Sequence, residues 1–199
     1  MTITYPLTVP PYVKDWRFSY EISTSKTTNP FNFREKILTH GGDRWLLQFQ
    51  YESLTREKSA EVEAFLMSLR GEEGTFVFGD LSAVTPLGIG TGTPLVKGAS
   101  QTGYSLLIDG LTPSTTNILK AGDWLQIDNS LYKNLTNVNS NGSGEATLDI
   151  APRLKSHADN ATVIFNNPKG IFRLAEGQVF WEKSLDGFTD FTILAVEAI

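Results

Sequence analysis

Thr39-His40-Gly41-Gly42-Asp43-Arg44-Trp45-Leu46-Leu47-Gln48-Phe49-Gln50-Tyr51-Glu52 is the most legible run of the chain. Trp45, Leu47, Phe49 and Tyr51 share one face of an extended segment, and Leu46, Gln48 and Gln50 share the other. That period of two is the mark of a half-buried strand. The preceding Gly41-Gly42-Asp43 predicts a turn. Downstream, Thr55 is placed to cap a helix by accepting from its first free amides, and Glu57 and Glu61 suit the positive end of the helix dipole. Val62, Phe65, Leu66 and Leu69 follow at i, i+3, i+4 and i+7, a single apolar stripe. Gly71 is suited to the left-handed residue that stops a helix, with Arg70 at the negative end. Gly74-Thr75-Phe76-Val77-Phe78-Gly79-Asp80 then returns the chain as a strand. A helix with one stripe packs on a sheet, so this is a β-α-β unit in a β-rich protein.

Working outward, Tyr5-Pro6 and Val9-Pro10-Pro11 disfavour helix near the N-terminus. Trp16, Phe18, Tyr20 and Ile22 alternate with polar residues, a second strand. Thr27-Thr28-Asn29-Pro30 predicts a turn and Phe31 to Ile37 a further strand. From Ser82 to Asn167 the composition shifts to Gly, Thr, Ser and Asn. Short strands are expected there at Ser105–Asp109, Trp124–Ile127, Ala146–Ile150 and Thr162–Phe165, a spacing typical of a small barrel or sandwich. After Pro168-Lys169-Gly170, longer apolar strands return at Ile171–Leu174, Val179–Trp181 and Phe191–Val196. The expected organisation is a discontinuous first domain, 1–85 and 168–199, with a second inserted at 86–167. Each half of the first domain is too one-faced to bury a core alone, and insertions at loop tips are tolerated. Two sequential domains are the rival arrangement.

The 199 residues are 40% hydrophobic, 11% aromatic and 20% charged, an ordinary globular balance with no long polar block. The net charge of −5 and pI of about 5.1 lack the basic footprint of a general nucleic-acid binder. No cysteine is present, which removes disulfides, thiolate metal sites and thiol nucleophiles. The N-terminus lacks the basic and apolar regions of a signal peptide. No apolar run approaches the roughly 20 residues of a membrane helix, so no membrane insertion is expected.

Candidate chemistry is sparse. His40 and His157 are far apart, lack ligand-spaced partners and read as surface-loop histidines. There is no Gly-x-Ser-x-Gly elbow. Gly88-Ile89-Gly90-Thr91-Gly92-Thr93 departs from the dinucleotide fingerprint at Thr93, and Pro94 rather than a helix follows; a flexible linker is the expectation. Asp109, Asp123, Asp128 and Asp149 could be imagined as a glycosidase pair, but Asp109-Gly110 and Gly122-Asp123 suit turns. The sequons at Asn134, Asn141 and Asn160 carry little weight without a secretory signal. No catalytic, cofactor or metal residue is assigned, and the chain is not expected to be an enzyme.

The pattern Gly41-Gly42-x-x-Trp45, then Ala60-Glu61-x-x-x-Phe65-Leu66-x-x-Leu69-x-Gly71, Gly74-Thr75-Phe76 and Gly79-Asp80, resembles the tail-tube-like domain of siphophage distal tail proteins. Gly88, Pro94-Leu95-Val96-Lys97-Gly98-Ala99-Ser100-Gln101-Thr102-Gly103, Leu119-Lys120-Ala121-Gly122-Asp123-Trp124 and Tyr132 are similar to the OB-like second domain of a subtype also found in prophages and gene-transfer agents. The likeness covers about residues 30–175. It implies a tail-tube-like sandwich or barrel with one helix plus a small OB-like barrel. It also implies a hexameric ring at the virion tail tip, assembled in the host cytoplasm. There the ring would join the tail tube protein to the baseplate hub protein and its fibre. Receptor-binding or side-fibre proteins would attach to it, and DNA would meet it only in passing through the lumen. Two other readings stay open. One is a carbohydrate-binding β module with Trp124 as the stacking face; the other is a tail-associated hydrolase.

Overall fold

A computed structural model describes residues 3–198. The chain is mainly β, 45% strand and 7% helical with one helix, and its two sheets form a half-barrel and a nearly closed barrel. In chain order the elements are β1 (Leu7–Thr8), β2 (Asp15–Thr28), β3 (Glu35–Leu54), α1 (Arg56–Ser68), β4 (Phe76–Phe78), β5 (Gly92–Val96), β6 (Ser105–Leu111), β7 (Trp124–Ile127), β8 (Ser130–Asn134), β9 (Ala146–Ala151), β10 (Val163–Ile164), β11 (Gly170–Leu174), β12 (Trp181–Lys183) and β13 (Thr189–Glu197).

The half-barrel is a seven-stranded sheet in the order β1-β4-β11-β13-β3-β2, with β12 paired to β13. It draws strands from both ends of the chain. The other sheet, β10-β7-β8-β9-β6-β5, uses only the strands between. A bridge between Leu95 and Thr162 brings its two ends together. The first core gathers Trp45, Leu47, Phe49 and Tyr51 from β3, the α1 stripe, and Phe76, Phe172, Phe191 and Ile193. The second gathers Leu106, Ile108, Leu125, Ile127, Tyr132, Leu148 and Ile150. All four stripe residues of the helix are buried: Val62, Phe65, Leu66 and Leu69. The Phe65 ring meets Phe76 edge-on at 5.8 Å.

Several local expectations are corrected. Gly41-Gly42-Asp43 does not reverse the chain. β3 runs straight through it, and the register against β2 jumps from Ile22↔Asp43 to Thr24↔Thr39. Gly41 takes φ +75° there, so the glycines make a bulge that bends the strand rather than a turn. The turn expected at Thr27–Pro30 lies at Asn29 to Arg34, because Thr27 and Thr28 still belong to β2, and Phe31 to Arg34 form the turn rather than the start of the next strand. Thr55 occupies the N-cap position without a side-chain cap bond. β8 was not anticipated, since four of its five residues are buried on both faces and no alternation survives.

A candidate assembly surface

The two sheets meet along an aromatic seam. Trp124 of β7 lies 4.9 Å from the ring of Trp45 and 5.1 Å from that of Phe18. Its indole N–H donates to Asp80 Oδ2 at 3.0 Å, while the Trp16 indole donates to Asp80 Oδ1 at 3.1 Å. One carboxylate thus ties a tryptophan from each sheet. Burial pushes the Asp80 carboxyl upward. Donation from the Ser82 hydroxyl and amide and from the two indoles outweighs that and holds it below its ordinary range. Farther along, the Trp45 indole donates to the Leu131 carbonyl at 2.9 Å. Glu197, buried on β13, accepts from the Trp45 amide and pairs with Lys155 at 2.6 Å.

Beyond the seam, β2 and β3 continue as a two-stranded arm. From Glu21 to Thr28 and from Glu35 to His40 every residue is exposed, so neither face of the ribbon is covered. The arm is anchored at its base. Asp43 accepts from the Tyr20 hydroxyl at 2.6 Å and from the amide of Arg153, in the loop that follows β9, at 2.8 Å. Burial, then the bond to Asp43, drives the Tyr20 hydroxyl pKa upward. Its tip is ordered too. Asn29 Oδ1 accepts from the Phe31 amide and Asn32 Oδ1 from the Arg34 amide, two Asx turns that fix the reversal. Phe31 is 94% exposed and Phe33 79%.

At the opposite end of the same sheet lies the β12–β13 hairpin. Phe180, Leu185, Phe188 and Leu194 are exposed there. The hairpin turn is closed by the Ser184 amide bonding to the Phe188 carbonyl at 2.9 Å. Between Trp181 and the outer faces of β3 and β13 runs an open groove.

The residues singled out from sequence do not converge. His40 lies on the exposed arm, 2.6 Å from Ser25 Oγ. His157 is not a surface residue: it is 8% exposed, with Nδ1 2.8 Å from Asp128 and Nε2 2.8 Å from the Tyr132 hydroxyl. Burial pushes that tyrosine's pKa up to about 12. Asp123 is buried and accepts from the amides of Leu87, Gly88 and Lys120. The Gly88 segment is therefore pinned rather than a flexible linker, and a side chain at Gly88 would meet the Ile118 carbonyl at 2.6 Å. Asp109 lies on β6 beside β5 and Asp149 on β9 opposite Ser105. Trp124 is buried in the seam and offers no face to a sugar. Among the described residues no group of three or more His, Cys, Asp or Glu could hold a metal ion, and no helix is long and apolar enough to cross a membrane. Sequence reasoning missed the arm, because the glycines were read as a turn. The arm carries no apolar–polar alternation; the β-favouring Thr24, Thr27, Thr28 and Thr39 are the one local trace of it. In comparison with known proteins, the chain matches no family model and no curated sequence.

Proposed function

We propose that this chain is a structural subunit of a phage tail tip, forming a ring that joins the tail tube to the baseplate hub and fibre. The observation that carries the reading is the β2–β3 arm. A lone two-stranded ribbon is marginal in water, and this one is bare on both faces and tipped with two exposed phenylalanines. Such an arm becomes stable when a neighbour covers it. A ring of identical subunits supplies that neighbour to every copy and also pairs or shields open sheet edges. The resemblance in the Gly41 to Asp80 pattern supplies the setting.

In this reading the solvent face of the half-barrel lines the lumen. It presents Asp15, Arg17 and Glu21 from β2, Arg44, Gln48, Gln50 and Glu52 from β3, Arg173 from β11, and Asp190 and Thr192 from β13. Arg44 is paired with Glu21 at 2.7 Å, so the acids of this face are largely balanced by arginines and the lumen assignment rests on the ring reading rather than on charge. The second barrel, residues 86–167, projects outward as a separate domain toward receptor-binding or side-fibre proteins. Electron microscopy of the purified chain at rising concentration tests the reading. Closed rings are the expected product; a chain that stays monomeric and is absent from assembled tails would refute it.

A further inference from the structure

We propose that the tip of the β2–β3 arm seats on the β12–β13 hairpin of a second copy of this chain, joining subunits head to tail. This rests on the ring reading above and adds which two surfaces meet. Both surfaces are exposed and apolar: Phe31, Phe33, Ile37 and Leu38 on the arm, Phe180, Leu185, Phe188 and Leu194 at the hairpin. Single exposed apolar residues are commonplace, whereas clusters of this kind mark interaction sites.

Charge chooses the partner. Residues 22–42 carry Lys26, Arg34 and Lys36 against one acid, Glu35, in a chain whose net charge is −5. Residues 176–190 carry Glu176, Glu182, Asp186 and Asp190 against one base, Lys183. Lys26 is already paired with Glu35 at 2.5 Å, and Lys183 with Glu63 at 2.9 Å. The tip therefore presents Arg34 and Lys36, and the hairpin presents Glu182 and Asp186. Complementary potentials of this kind set register and suppress wrong partners.

Geometry forbids the contact within one chain. β3 links the two surfaces: Glu35 adjoins the tip, and Leu54 pairs with Thr189 beside the hairpin. A strand from 35 to 54 spans on the order of 60 Å at about 3.3 Å per residue. Two different surfaces at opposite ends of a subunit can meet only between copies. Repetition of that contact closes a ring or extends a filament. The Asx turns hold the tip in one conformation before contact, which lowers the ordering cost of docking.

The absence of cysteine gives a clean test. Phe33→Cys and Leu185→Cys are made separately, mixed, and treated with a short bismaleimide; both sites are exposed, so the fold is left intact. The expected product is a 33–185 linked pair, identified by peptide mass spectrometry, in excess over 33–33 and 185–185 pairs. Arg34→Glu with Lys36→Glu is expected to weaken self-association about tenfold or more, and Glu182→Lys with Asp186→Lys to restore it. Rings that assemble without 33–185 links and ignore the charge reversal would overturn this contact and leave the ring reading standing. A dominant 33–33 product would overturn it in favour of a two-fold dimer. No self-association and no link at any concentration would overturn both.

Discussion

Trp124→Ala removes the residue of the second sheet that packs into the core of the first. The side chain is 3% exposed, packs against Trp45 and Phe18 with ring centroids 4.9 and 5.1 Å away, and donates to Asp80. Emptying such a site costs about 3–5 kcal/mol. Trp124→Phe keeps a ring in the stack and loses the indole N–H. A hydrogen bond to a charged acceptor contributes about 1.5–3 kcal/mol, so the milder variant should lose no more than that. Asp80 keeps Ser82 and Trp16 as donors, which places the loss toward the lower end. Urea unfolding, followed by far-ultraviolet circular dichroism and by the fluorescence of the remaining tryptophans, reads both variants. Coincident transitions in the native chain are expected, because the seam couples the two sheets. A cost below about 1 kcal/mol for Trp124→Ala, in the range of surface changes, would refute the shared seam. So would two well-separated native transitions.

Phe65→Ala should cost about 3–5 kcal/mol, since its ring is enclosed against Phe76; a melting temperature within a degree or two of the native chain would contradict the packing. Lys155→Met leaves the Glu197 carboxylate, 1% exposed, without its cation. Breaking a buried pair this way costs about 3–5 kcal/mol, and the double change with Glu197→Gln should recover much of the loss in the same urea assay. Asp80 is held below its ordinary pKa in the folded chain. Its contribution is therefore full above the unfolded value of about 4 and is lost as pH falls through the lower folded value. The melting-temperature gap between the native chain and Asp80→Asn should be widest near neutrality and shrink below about pH 4; a gap independent of pH would count against this role.

The β class, the single helix and its buried stripe were legible because the relevant patterns are local. Trp45 to Tyr51 alternate with period two, and Val62 to Leu69 repeat with the period of a helix. What was illegible depends on partners distant in sequence. Gly41-Gly42 looks like a turn until Ser23–Thr28 is known to continue alongside it; the same glycines then serve as a bulge. β8 shows no alternation because Leu131 is buried in one core and Tyr132 in the other. His157 resembles a loop residue, yet Asp128 and Tyr132, far earlier in the chain, enclose it. The seam itself joins Trp16, Asp80, Trp124 and Glu197, residues that no local pattern associates. The candidate surface was hidden for a related reason: an exposed strand and a loop contain similar residues, and only pairing distinguishes them.

Native mass spectrometry of the purified chain, over a range of concentrations and at low and physiological salt, tests the central claim most directly. Each copy weighs 22.0 kDa. A closed ring of six predicts a discrete species of about 132 kDa that gains population with concentration and loses it on Arg34→Glu with Lys36→Glu. A single 22.0 kDa species at every concentration, unaffected by that charge reversal, would contradict the claim.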